Sequence, residues 1–134
     1  MEQALGRSIW RSPSQAVLHS DASTFAWDGV LNSTALAHGL WTKAEKKYHI
    51  TILELIAVMR NVEAFLPRLK GKKVWLHEDN MAVAYILREL TSRSRDIMFH
   101  LRKLWALLQA SEISFNRVDY IKSDPPSTPY LVLK

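Results

Sequence analysis

The chain contains no cysteine in 134 residues, which excludes a disulfide framework and a thiolate zinc site. Glycine occurs only four times, and no phosphate-cradling Gly-rich loop is visible. No apolar run approaches the roughly 20 residues that a membrane span needs, and the start lacks a signal-peptide core. A membrane partner is therefore not expected, and an intracellular setting is. Internal repeats and low-complexity segments are absent too. The five histidines lack zinc-ligand spacing, and no Ser-His-Asp arrangement stands out. What is present is a composition of 48% hydrophobic and 23% charged residues, the profile of a globular domain. A chain of this length buries roughly two-thirds of its unfolded surface in one core. The net charge of +5 favours a polyanionic partner.

Residues 1–14, with Arg7, Arg11, Ser12 and Pro13, show no clear periodicity and read as a tail or a linker from a preceding domain. Ala16 to Asp21 reads as a strand stopped by the polar cluster Asp21-Ala22-Ser23-Thr24, Ala26 to Leu31 as a second, and Thr34 to Trp41 as a third after an Asn32-Ser33 turn. A basic loop with Lys43, Lys46 and Lys47 leads to a helix over about 51–66, whose stripe is Leu55, Val58, Met59, Val62, Phe65 and Leu66. Pro67 and Gly71 bracket its exit. Lys72 to Asp79 is the fourth strand, with Val74, Leu76 and Glu78 on one side and Trp75, His77 and Asp79 on the other. Asn80 can cap a helix over 81–90, and a second helix covers about 97–110. Residues 113–121 alternate as a fifth strand. The order βββαβααβ predicts an α/β domain over 15–122 with a mixed five-stranded sheet. The Pro-rich segment 123–134 can continue neither a helix nor a strand.

Chemistry in such sheets gathers at strand ends. Asp21 ends the first strand and Asp79 the fourth, so the two acids meet if those strands lie side by side and parallel. Glu54, one turn into the long helix, would lean over both. Three carboxylates offer hard oxygen donors, which suit Mg²⁺ or Mn²⁺ and suit zinc or copper poorly. Each acid also has a plainer reading. Thr51 with Glu54 has the form of a capping box, Asp21 can be a turn residue, and Asp79 can open the following helix.

Ser20-Asp21-Ala22-Ser23 with Trp27, His49 to Leu55 with Ala57-Val58, and Glu78-Asp79-Asn80 with Ala82 to Ile86 together resemble the ribonuclease H domain of retroelement reverse transcriptases, in particular the DIRS-like and Ty3-like group. Ser92-Arg93-Ser94-Arg95 entering a helix and Tyr120-Ile121 closing the last strand fit the same pattern. The resemblance spans about 16–122, and its acids lie 33 and then 25 residues apart. It implies a ribonuclease H-like fold in which Asp21, Glu54 and Asp79 are metal-binding catalytic carboxylates. It also implies two Mg²⁺ or Mn²⁺ ions about 4 Å apart serving phosphodiester hydrolysis. The substrate implied is the RNA strand of an RNA–DNA hybrid, read through backbone shape and 2′-hydroxyls. Ser23, Asn80, Arg93 and Arg95 would touch nucleic acid, and a polymerase domain would adjoin the chain in a parent polyprotein.

The sequence departs from the family at one place. The family follows its fifth strand with a segment that opens a final helix and brings a fourth carboxylate. Here Lys122 to Tyr130 is interrupted by prolines, the final helix is missing from the pattern, and Asp124 is the nearest acid left as a possible metal ligand. The alternative reading is thus a catalytically inactive module of the same fold, a degenerate or truncated copy that binds nucleic acid or protein. Arg88, Arg93, Arg95, Arg102 and Lys103 could track a phosphate backbone or form a solvated helix face. Trp27, Trp41, Trp75 and Trp105 are expected in the core, and His77 and His100 in structural or surface roles.

Overall fold

A computed structural model describes residues 13–122; Asp124, Trp10 and most of both expected tails lie outside them. Five strands form one mixed sheet in the order β3-β2-β1-β4-β5. Strands β1 (Ala16–Ala22), β2 (Ala26–Leu31) and β3 (Ala35–Leu40) make an antiparallel meander. Asn32 and Ser33 turn β2 into β3 with φ of 53° and 66°, the left-handed pair that tight hairpins favour. Helix α1 (Ile50–Ala64) then crosses the sheet and delivers β4 (Lys73–Glu78) parallel to β1. Helices α3 (Met81–Glu89) and α4 (Arg95–Ala110) carry the chain to β5 (Ser114–Tyr120), parallel to β4 at the edge. The order and mixed sheet expected from the sequence are those observed. No described helix is long and apolar enough to cross a membrane.

Helix α1 differs from expectation at both ends. Its N-cap is His49, whose Nδ1 accepts the Thr51 amide at 3.1 Å, so Glu54 is not part of a cap. Its C-terminal end comes at Ala64, where Phe65 leaves helical geometry and a short α2 (Leu66–Leu69) begins. Pro67 lacks the amide hydrogen that one continuous helix would need from it. Helix α4 starts at Arg95 because Ser94 Oγ accepts the Ile97 amide at 3.2 Å.

Helix α1 is buried along nearly its whole circumference from Ile52 to Val58. One side joins the main core with Leu18, Leu31, Val74, Leu76, Leu101 and Leu104; the other closes a smaller cluster around Trp41. A buried polar tie fixes its height over the sheet. Asn61 Nδ2 donates to Ser20 Oγ at 3.1 Å, to the Asp28 carbonyl at 2.9 Å and to the Ala57 carbonyl at 3.0 Å. Gly29 opposite Ser20 makes room for this: a Cβ there would fall 1.7 Å from Asn61 Oδ1.

Of the four tryptophans expected in the core, Trp41 is buried and Trp27 and Trp75 are half-buried. Trp105 is 44% exposed. Trp105 sits at helical spacing with the core positions but borders an open groove between α4 and β5, lined also by Leu108, Phe115 and Arg117. Periodicity placed it on the correct flank of α4, and among the described residues no element covers that flank beside the edge strand β5.

Candidate carboxylate site

Strand pairing decides which acids can meet. Strand β1 runs parallel to β4 with Ser20 opposite Glu78, so Asp21 and Asp79 each lie one residue further along. Helix α1, held by Asn61, brings Glu54 over that end of the sheet. Asp21, Glu54 and Asp79 are close enough for the two aspartates to raise the pKa of the glutamate. Asp21 Oδ1 accepts the Ala22 amide at 2.9 Å.

Glu54 is only 5% exposed. Burial, then the charges of Asp21 and Asp79, push its pKa up to about 8, against the opposing pull of hydrogen bonds to Glu78 and to the Ala22 backbone. Its Oε1 atom is buried and meets no donor among the described residues. An uncompensated buried carboxylate is costly, and a neutralising cation or proton would remove that cost.

Glu78 is the residue whose role the sequence reading missed. It is fully buried at the end of β4, and its Oε2 accepts the Asn80 amide at 3.1 Å. Burial first, then the neighbouring Glu54, hold its pKa well above the ordinary carboxylate range. The signal was in the sequence: the alternation of β4 puts Glu78 on the same buried side as Val74 and Leu76. No group of three or more His, Asp or Glu side chains among the described residues is gathered to grip a metal ion. The donors nonetheless fit a hard divalent cation chemically. They are all carboxylate oxygens, and one of them, Glu54 Oε1, is buried without a partner.

The residues expected to contact nucleic acid fall into two groups. Ser23 Oγ accepts the Phe25 and Ala26 amides, both at 3.1 Å, and so closes the β1–β2 turn beside Asp21. Asn80 caps α3, accepting the Val83 amide at 3.0 Å. Both lie next to the acids through their backbone positions. Arg93 and Arg95 are exposed around the start of α4.

On the face of the sheet away from α1 and Glu78, His19 and His77 sit on the adjacent strands β1 and β4. His77 Nδ1 lies 2.9 Å from His19 Nε2. Trp75 Nε1 donates to Asp119 Oδ2 at 2.8 Å, and Arg117 stacks over the Trp75 ring while bonding the same carboxylate. His77 is thus built into the sheet, as expected. His100 is buried against Tyr48 and Phe99.

Residues 12–110 fit the model of the RNase H-like domain found in reverse transcriptase. The chain belongs to that family. Over 81 residues it is also 32% identical to the enzymatic polyprotein of Figwort mosaic virus (strain DxS); the matched stretch covers 54% of this chain and 12% of the viral polyprotein.

Proposed function

We propose that this domain cleaves the RNA strand of RNA–DNA hybrids as a divalent-metal-dependent nuclease, with Asp21, Glu54 and Asp79 holding the metal. The observation that carries the proposal is Glu54, a buried carboxylate with an unpartnered oxygen, set between two aspartates that raise its pKa. When bound, Mg²⁺ or Mn²⁺, in one or two ions, would supply Lewis-acid activation of water and charge neutralisation at the phosphate. Asp21 and Asp79 line the site at the ends of the strands. Glu54, once ionised, adds the third oxygen donor from above. Burial of Glu54 and Glu78 keeps water away from the inner side of the site. The exposed Arg93 and Arg95 would bind backbone phosphates, with salt-dependent affinity and no base specificity. Family membership supports a place beside a polymerase domain in a longer polyprotein. We place the whole within the cell, where such a hybrid would form.

The test is cleavage of a labelled RNA–DNA hybrid with Mg²⁺ or Mn²⁺ by this chain and by its Asp21→Asn and Asp79→Asn variants. Cleavage by the parent chain that is lost in both variants supports the proposal. Hybrid binding without cleavage above a no-enzyme control overturns it in favour of a binding module.

A further inference from the structure

Among the described residues no strand pairs with the outer side of β5. The Ile121 amide donates across to the Glu78 carbonyl on β4. Strand alternation then turns the backbone groups of Arg117 and Asp119 towards β4 as well, and those of Val118 and Tyr120 outward. An outward row of donors and acceptors is a template for another strand. Arg117 and Asp119 flank Val118 and project from the face away from α1, where Trp75 holds both charges in place. The Arg117 guanidinium lies 4.1 Å from the centre of the Trp75 ring, and Trp75 Nε1 donates to Asp119 Oδ2 at 2.8 Å. Arg117 Nε donates to the same oxygen at 2.8 Å, yet the two side chains stay 51% and 36% exposed. The other edge strand, β3, exposes Leu36 and Leu40 but carries no opposed charges.

We propose that β5 is a self-association edge: two copies of this chain pair their β5 strands antiparallel about a two-fold axis at Val118, joining their sheets into one. A symmetric dimer needs a patch that is complementary to itself. With Val118 opposite its own copy, Arg117 of each chain stands opposite Asp119 of the other. The two Val118 backbones exchange hydrogen bonds, which makes the flanking pairs the kind whose side chains approach most closely. A shift of two residues either way along the strand sets Arg117 opposite Arg117 or Asp119 opposite Asp119, so the charges select one register. The open groove of about 720 Å³ between α4 and β5, lined by Trp105, Leu108 and Phe115, runs along the same edge. Pairing brings a second copy against that groove and draws Trp105, 44% exposed in the single chain, away from water. Asp21, Glu54 and Asp79 take no part in this edge, so the inference does not depend on the metal-binding reading.

The experiment is sedimentation equilibrium of the full chain across a dilution series at low salt, comparing the parent with Arg117→Asp, Asp119→Arg, the double exchange Arg117→Asp/Asp119→Arg, and an equimolar mixture of the two single variants. Thermal melting confirms that each variant folds. The expected mass of the parent at high concentration is twice the 15.4 kDa of one chain. Each single variant sets like charges opposite each other and should stay monomeric, while the double exchange and the mixture should regain the dimer. The mixture is decisive because it repairs the charge pairs between copies without repairing the pair within either copy. A parent that is monomeric at every concentration overturns the inference, whatever else covers the groove. Single variants that still dimerise overturn it in favour of another surface, such as the β3 edge. Single variants that stay monomeric when mixed overturn it too, since their loss then lies within the chain. Hydrogen exchange of the parent gives a test free of substitutions: the Val118 amide should slow as concentration rises, and a rate independent of concentration overturns the pairing.

Discussion

The buried carboxyls make stability depend on pH in a direction opposite to that of most folded acids. In the folded, metal-free chain Glu54 stands at about 8, against roughly 4.3 for an unfolded glutamate. Between these values the folded chain holds a proton that the unfolded chain has released. Stability is therefore greatest below the unfolded pKa and falls as pH rises through about 8. For one such group the loss between pH 7 and pH 9 is about 1 kcal/mol, a sizeable share of a marginal total. Glu78, also raised by burial, acts in the same direction. His19, His77 and His100 act in the other: burial lowers each pKa, so they cost stability as pH falls. That cost is gone once unfolded histidines are neutral, above about pH 7. The window from pH 7 to 9 thus isolates the carboxyls. Urea unfolding in chelator, followed by tryptophan fluorescence, should show the decline in the parent chain and a flatter profile in Glu54→Gln. A parent stability that is level or rises across that window would refute the reasoning, as would an unchanged slope in Glu54→Gln.

Further outcomes are expected elsewhere in the molecule. Gly29→Ala should cost about 2–3 kcal/mol in urea unfolding, since its Cβ would collide with Asn61; combined with Asn61→Ala the cost should be clearly less than the sum of the two single changes. Asn61→Ala alone should cost about 2 kcal/mol, because buried partners on β1, β2 and α1 lose a shared donor; additive behaviour in that pair would show that the collision is relieved by another route. Saturating Mn²⁺ or Mg²⁺ should raise the melting temperature of the parent and not of Asp79→Asn, as ligand binding to the folded state requires. Arg93→Ala with Arg95→Ala should reduce the salt dependence of hybrid binding by about one unit of slope for each phosphate contact removed, with a parent-like slope counting against that surface.

The sequence alone determined the elements and their order. Short apolar runs bounded by turn residues marked the first three strands and period-two alternation the last two, helical spacing marked the long helix and the later pair, and Asn80 gave the start of α3. These signals are local, and the structure repeats them to within a few residues at most boundaries. Asp21 and Asp79 were legible as strand-end acids because a parallel β1–β4 pair follows from a helical crossover. The sequence also held the placement of Glu78 on the buried face of β4, but not its partner. That Glu54 meets Glu78 depends on the register of two strands and on how α1 sits above them, which Asn61 and Gly29 fix through contacts far apart in the chain. The same dependence explains Trp105 and the helix cap. A periodic residue is buried only if another element covers it, and the cap falls to His49 and not to Thr51, leaving Glu54 outside it and buried. Only tertiary structure could decide these points, because the free energy of burying an acid or a tryptophan is set by neighbours that sequence spacing does not name.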